Sequence, residues 1–325
     1  MAAAKEELAG VSLSSLDAEL FDGAGVTKRD LVTYLDGVRD RLLPVLADRA
    51  LSVVRVRPGS DPFMQKNLPA YAPDWIRTSE AWSQASHRTV RYPVVDDRRT
   101  LVWLANQRAV EYHPAMVRDW VDHADHLVID LDPPADVDPA EGYRMAARTA
   151  LLVREVLDGC GLGAAVKTSG AKGVHVFVPV DGTQGWEDVA GATRALAARA
   201  AALDPELATT AYIKADRGGR VFVDSTRSGG ATVICAYSPR ARPGVPVSFP
   251  LGWDDLLDVL PGDVTVLTAL ERLGEADPWA EAMPAPQRLP EDLVAEGREI
   301  PVSRVAAMHE GKRRKRAAQK ASEDG

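Results

Sequence analysis

Three aspartates in this chain have the placement to do chemistry. Asp130 and Asp132 close the segment His126-Leu127-Val128-Ile129-Asp130-Leu131-Asp132, and Pro133 and Pro134 stop it. The apolar run predicts a short buried strand, since proline cannot continue a sheet ladder. Alternate residues of a strand share a face, so the two carboxylates project together while Leu131 turns into the core. Paired carboxylates repel and resist desolvation, and a divalent cation such as magnesium or manganese would neutralise them. Two solvated acids at a strand end meet the same spacing, so this segment alone leaves both readings open. A second apolar strand, Arg220-Val221-Phe222-Val223-Asp224, also ends on a carboxylate. A third acid is what a two-metal site needs, because two cations must share several oxygens.

A glycine-bracketed turn, Ser169-Gly170-Ala171-Lys172-Gly173, sits between two strand-like runs, Ala164–Thr168 and Val174–Val180. Glycines at these positions let backbone N–H groups turn toward an anion, with a hydroxyl from Ser169 and a charge from Lys172. The spacing is not that of a P-loop, and a purely structural turn fits it equally. In Asp61-Pro62-Phe63-Met64-Gln65-Lys66-Asn67 an aromatic lies near a lysine, which suits a base stacked on Phe63 and a phosphate met by Lys66. Core packing of Phe63 is the plainer reading, since most aromatics are largely buried. His113, His123 and His126 fit no common zinc spacing, and no cysteine joins them.

The elements that must position these groups read clearly. Thr27 begins a helix, with Asp30 completing a capping box, and Leu31, Leu35, Val38 and Leu42 recur at helical spacing until Pro44. Leu51–Arg57 is a strand closed by Pro58-Gly59. Val90–Val95 is strand material, Asp96-Asp97 a turn, and Thr100–Gln107 a short helix. Asp138 caps a long helix with Pro139 in its first turn and Gly159 past its end. Trp186–Leu203 is an alanine-rich helix, and Asp277-Pro278-Trp279 a packing anchor. Residues 284–325 are proline-rich, then charged, and are expected to leave the globule as an extended segment beyond a domain spanning 1–283. Within them Lys312-Arg313-Arg314-Lys315-Arg316 is a basic run, either a solubilising end or a phosphate contact.

Composition bounds the rest. With 325 residues, 46% of them hydrophobic and 26% charged, the chain can bury a full core in one large domain or two lobes. The net charge of −8 disfavours a phosphate-coated partner, although a local basic groove can bind nucleic acid on an acidic protein. No stretch reads as a secretory signal or a membrane span, and two cysteines suffice for neither a disulfide framework nor a zinc site. A cytoplasmic protein is expected.

Six segments in this order resemble a known family. They are Asp61–Asn67, Val94–Asp97 with Thr100–Asn106, Leu127–Pro133, Thr168–His175, Val221–Asp224 and Ala236–Arg242. Together they look like the polymerase domain of the bacterial ligase for non-homologous end joining, within the archaeo-eukaryotic primase superfamily. The resemblance implies a mixed α/β fold of two lobes facing across a catalytic cleft, one lobe similar to an RNA-recognition sheet. It also implies template-directed nucleotidyl transfer from a ribo- or deoxyribonucleoside triphosphate to a primer 3′-hydroxyl, filling short gaps or extending ends. Asp130, Asp132 and Asp224 would be catalytic and hold two manganese or magnesium ions. Ser169, Lys172, His175 and Arg240 match triphosphate contacts, and Arg55 and His113 look similar to other nucleotide-contacting positions. Lys28 and Phe63 match residues holding a downstream 5′-phosphate and the template. Expected partners are DNA, with primer-template, gapped or broken ends, together with a separate ligase and an end-binding protein, at the nucleoid and not at a membrane.

Three departures from the family pattern stand out. Ala18 stands where a lysine helps grip the 5′-phosphate. Phe63-Met64 replaces paired phenylalanines, and Ser225-Thr226-Arg227-Ser228 follows the third aspartate where an aromatic and an asparagine are usual. A non-catalytic DNA-end or repair-partner binder of the same fold is the main alternative. A metal-dependent nuclease is a third reading, but it would not need a triphosphate hairpin.

Overall fold

A computed structural model describes residues 6–83, 87–118, 123–228 and 231–302. The chain opens with a short antiparallel pair, β1 (Glu7–Leu8) and β2 (Val11–Ser12). Thr27 then caps α1 (Lys28–Gly37) through a full capping box, its hydroxyl accepting from the Asp30 N–H while the Asp30 carboxylate accepts from the Thr27 N–H. The single helix expected to reach Pro44 is two helices. It breaks at Val38, and α2 (Arg39–Leu46) contains Pro44. Gly37 ends α1 where the Leu270 side chain packs so close that a Cβ would stand 2.6 Å from Leu270 Cδ1.

The first sheet has β3 (Leu51–Arg57) at its centre, with β4 (Ser60–Gln65) on one side. A hairpin of β5 (Thr78–Ser83) and β6 (Arg88–Pro93) follows, then α3 (Arg98–Asn106), capped by Asp97. The strand β7 (Ala109–Pro114) returns to pair with β3 and completes an antiparallel three-stranded sheet. Strand β3 is buried over most of its length, as its apolar pattern requires.

The second sheet is built from β8 (His126–Asp132), β9 (Ala165–Thr168), β10 (Val174–Pro179), β11 (Ala208–Thr209), β12 (Val221–Asp224) and β13 (Pro250–Leu251), in the order β11-β12-β8-β10-β9-β13. The helices α4 (Pro139–Gly159) and α5 (Trp186–Leu203) pack side by side against it. Asp138 caps α4 as expected, accepting from the N–H groups of Ala140 and Glu141. Strands β8, β10 and β12 are almost entirely buried, so only residues at their ends can face a cavity. The two sheets give the mixed α/β architecture and meet at an open cleft between them.

The last described elements are α6 (Ala269–Leu273), α7 (Pro278–Ala282) and α8 (Glu291–Glu299). Trp279 is the anchor expected, its ring edge-on to Phe177 at 5.1 Å. Residues 284–300 do not leave the globule. Helix α8 lies against α5, burying Leu293 and Val294, and Arg194 donates to the Gly297 carbonyl at 2.8 Å. The low apolar content of this stretch concealed that its few hydrophobic residues share one helical face. The basic run Lys312–Arg316 lies outside the described residues. No helix among the described residues is long and apolar enough to cross a membrane.

Candidate active site

Strand periodicity alone puts Asp130 and Asp132 on one face of β8. The antiparallel register then sets Asp224 directly opposite Asp130, with Phe222 opposite Asp132. One carboxylate oxygen from each of the three lies within 4.8 Å of the others. Asp130 and Asp224 are buried and Asp132 is half-buried. The Arg227 Nε stands 3.1 Å from Asp130 and 3.3 Å from Asp224, while His175 Nε2 is 3.1 Å from the other Asp130 oxygen.

These neighbours split the acids. Burial would raise Asp130, but His175 and Arg227 hold its carboxyl well below the usual carboxylate range. Burial and the charges of Asp130 and Asp224 instead push Asp132 up to about 6. One guanidinium thus leaves three clustered carboxylates under-neutralised. Hard oxygen donors with surplus negative charge fit magnesium or manganese.

The cluster lies at the side of a cavity of about 460 Å³. The second sheet and its loops supply Asp130, Asp132, Ser169, Lys172, His175 and Arg240, and β7 supplies His113 from the opposite sheet. The Ser169–Gly173 turn joins β9 to β10 and needs its glycines. Gly170 has φ +68°, and a Cβ on Gly173 would stand 2.6 Å from the Leu131 carbonyl oxygen. The Ser169 hydroxyl accepts from the N–H groups of Ala171 and Gly173, so it braces the turn and takes up two of the amides expected to face an anion. Lys172 reaches across the cavity mouth to donate to the Ala135 carbonyl at 2.9 Å.

Sequence reasoning missed the group that organises the opposite wall. The Glu111 carboxylate accepts from Arg240 Nε at 3.1 Å and meets His113 Nε2 at 2.9 Å. Burial opposes its ionisation, yet His113, Arg240 and the Ala241 N–H lower it to about 2. Arg240 also donates to the Ser169 carbonyl at 3.0 Å. The available signal was strand alternation, which puts Glu111 and His113 on one face of β7. Lys214, Arg227 and Arg242 line the cavity too; the last two lie in segments compared with the family, but none of the three was given a role from sequence. An adjoining cavity of about 440 Å³ carries Lys214, Arg217 and Arg220 beside Asp132. Arg227 sits in a turn and Lys214 in a single 3-10 turn (Lys214–Asp216), both too short for any periodicity to point to a face.

Other expected residues lie outside this cavity. Arg55 is buried in β3, donating to the Gln107 carbonyl, Gln65 and the Tyr71 hydroxyl. Phe63, paired with it across β4, is half-buried beneath the Arg57 guanidinium at 4.9 Å, and Lys66 is exposed. Lys28 is buried, its ammonium donating to the Ser14 carbonyl at 2.6 Å. Burial and the nearby Arg108 charge lower it to about 8. His126 pairs with Asp125, away from Glu111 and His113, so these histidines form no common cluster.

Two buried aspartates and a half-buried one, flanked by cations at a cleft between two sheets, follow the plan of a primase-polymerase domain. A model of the LigD primase-polymerase domain matches residues 27–279, and the chain belongs to that family. It is 33% identical over 268 residues to the bifunctional non-homologous end joining protein LigD of Bacillus subtilis, covering 81% of this chain and 42% of that protein. It is 34% identical over 281 residues to the multifunctional non-homologous end joining DNA repair protein LigD of Mycobacterium tuberculosis, covering 82% and 36%. The chain therefore spans less than half the length of these curated relatives. The polymerase domain of M. tuberculosis ligase D, solved in complex with DNA, superposes with a TM-score of 0.74 at 30% identity, covering 90% of this chain and 99% of that one.

Proposed function

We propose that this chain is a template-directed, divalent-metal-dependent nucleotidyltransferase that fills short gaps or extends broken ends in DNA repair, using ribo- or deoxyribonucleoside triphosphates. The observation that carries this reading is the convergence of Asp130, Asp132 and Asp224 within 4.8 Å, the first two lining a cavity with Lys172, Arg240 and Arg242. In the reaction the primer 3′-oxygen bonds to the α-phosphorus, its proton leaves, and the bond to pyrophosphate breaks. Bound divalent ions supply the lowered pKa of the 3′-hydroxyl and the counter-charge for the triphosphate.

The chain's own residues do the remaining work. The three aspartates would hold the ions, and Lys172 and Arg240 would bind the non-bridging phosphate oxygens as fixed cations. Glu111 keeps Arg240 and His113 aimed across the cleft. The alcove lined by Lys214, Arg217 and Arg220 suits the phosphates of a primer entering beside Asp132. Lys28 and Arg108 form a paired cation site suited to a downstream 5′-phosphate, and Arg108 places a second charge near the chain segment that contains Ala18. A DNA complex of the structurally similar polymerase domain, at 30% identity, supports DNA as the macromolecular partner. Nick sealing and end capture would fall to a ligase and an end-binding protein.

The deciding experiment is primer extension on gapped DNA with manganese. Extension by wild type and none by Asp130→Ala is the expected result. Folded wild type that binds gapped DNA but adds no nucleotide would leave the non-catalytic end binder standing. Metal-dependent shortening of the strand would instead favour a nuclease.

A further inference from the structure

Four residues form a single row across the second sheet. Asp224 pairs with Asp130 across β12 and β8, Asp130 with His175 across β8 and β10, and His175 with Lys167 across β10 and β9. All four side chains are therefore on one face, and Lys167, at the far end, is fully buried. Among the described residues no carboxylate lies within ion-pair distance of it. Its ammonium stands 2.6 Å from Ser248 Oγ and 2.9 Å from His175 Nδ1. Ser248 gives its own hydrogen to the Thr168 carbonyl at 2.8 Å, so toward Lys167 it is an acceptor. Lys167 is thus the donor in this cluster, and His175 Nδ1 is the natural second acceptor.

An imidazole that accepts at Nδ1 carries its proton on Nε2. That nitrogen lies 3.1 Å from Asp130 Oδ1. We propose that Lys167 is a positioning residue which, by donating to His175 Nδ1, fixes the Nε2–H tautomer and so holds the Asp130 carboxylate in its metal-binding orientation. A ring that accepts from the Lys167 ammonium at Nδ1 is neutral, so its single proton must lie on the nitrogen facing Asp130. Arg227 holds the other Asp130 oxygen, so the carboxylate is gripped from both sides before any ligand arrives. The inference rests on the reading of Asp130 as a metal ligand, and it gives His175 a duty beyond touching nucleotide.

The test uses the full chain without DNA or nucleotide. Long-range proton–nitrogen NMR correlation on ¹⁵N-histidine protein identifies the His175 tautomer, with His175→Gln assigning the signals. Wild type should show an unprotonated Nδ1 and a protonated Nε2. Lys167→Met should shift the ring toward the Nδ1–H form and weaken manganese binding, measured by EPR titration of the metal alone, about tenfold, as expected for loss of an outer hydrogen bond to a metal ligand. Ser248→Ala removes the other Lys167 partner and should leave the tautomer unchanged; a tautomer switched there as well would make general packing of the cluster, not the Lys167 donor, its cause and would overturn the proposal. Folded Lys167→Met with wild-type tautomer and manganese affinity would overturn the proposal. Should that variant fail to fold, the wild-type spectrum still decides: an Nδ1-protonated ring cannot accept from Lys167. Lack of primer extension alongside the expected tautomer would count against the polymerase reading alone.

Discussion

The Arg240 guanidinium meets the Glu111 carboxylate at 3.1 Å, tying the loop after Cys235 to the central residue of β7 on the far side of the cleft. Both groups are largely withdrawn from solvent, so the contact fixes the spacing of the two walls. Glu111→Gln keeps the shape and removes the charge. It should raise the KM for nucleotide about tenfold, the equivalent of about 1.4 kcal/mol, while changing gapped-DNA binding little. Steady-state extension kinetics beside a gel-shift titration measure both, and an unaltered KM would refute the role.

Asp132 carries the pH dependence of the metal-free site. Its folded value, about 6, lies above its ordinary 3.8, so folding favours the protonated form. The associated stability is present below about pH 4 and is lost as pH rises through about 6. Asp132→Asn should therefore become more stable than metal-free wild type as pH climbs across that window. Thermal melts from pH 4 to pH 7 follow the difference, and manganese should narrow it by stabilising wild type alone. Glu111 acts oppositely and lower: its folded value of about 2 gives stability that disappears as pH falls below its ordinary 4.5.

Arg227 neutralises Asp130 and Asp224 when no metal is bound. Arg227→Gln should lower the melting temperature of chelator-treated protein by several degrees, since it leaves two buried carboxylates without their cation. Manganese should restore most of that loss. Differential scanning calorimetry with EDTA and then with manganese reads both; equal melting temperatures of variant and wild type in EDTA would contradict the assignment.

Lys28 and Arg108 are adjacent cations whose donors meet only backbone carbonyls in the hydrogen bonds of the described residues. Each alanine substitution should reduce the preference for 5′-phosphorylated over unphosphorylated gaps, the pair together by about tenfold. Fluorescence anisotropy on the two gap types gives the ratio. A loss of affinity equal for both gaps would place these residues outside phosphate recognition.

Helix α8 buries Leu293 completely against α5. Leu293→Ala should cost about 2–5 kcal/mol of stability, in the range of large-to-small substitutions in a packed core. Denaturant unfolding with unchanged m-value would register it. A surface-like change below about 0.5 kcal/mol would mean that the helix is only loosely attached.

Local chemistry made much of this protein legible from its residues. The Thr27–Asp30 capping box, the Asp138 cap, the glycine turn at Ser169–Gly173 and the shared face of Asp130 and Asp132 all depend on neighbours a few positions apart. The resemblance to end-joining polymerase domains rested on motifs of the same local kind, and family membership agrees with it. What tertiary structure decided is non-local. Register between β8 and β12 set Asp224 against Asp130, although they stand 94 positions apart in the chain, and a slip of one residue would have turned it to the other face. The salt bridges of Arg227 to Asp130 and of Arg240 to Glu111, and the return of α8 to α5, likewise join distant segments. No spacing rule encodes such pairs, because they form only when packed sheets bring the side chains within hydrogen-bond reach.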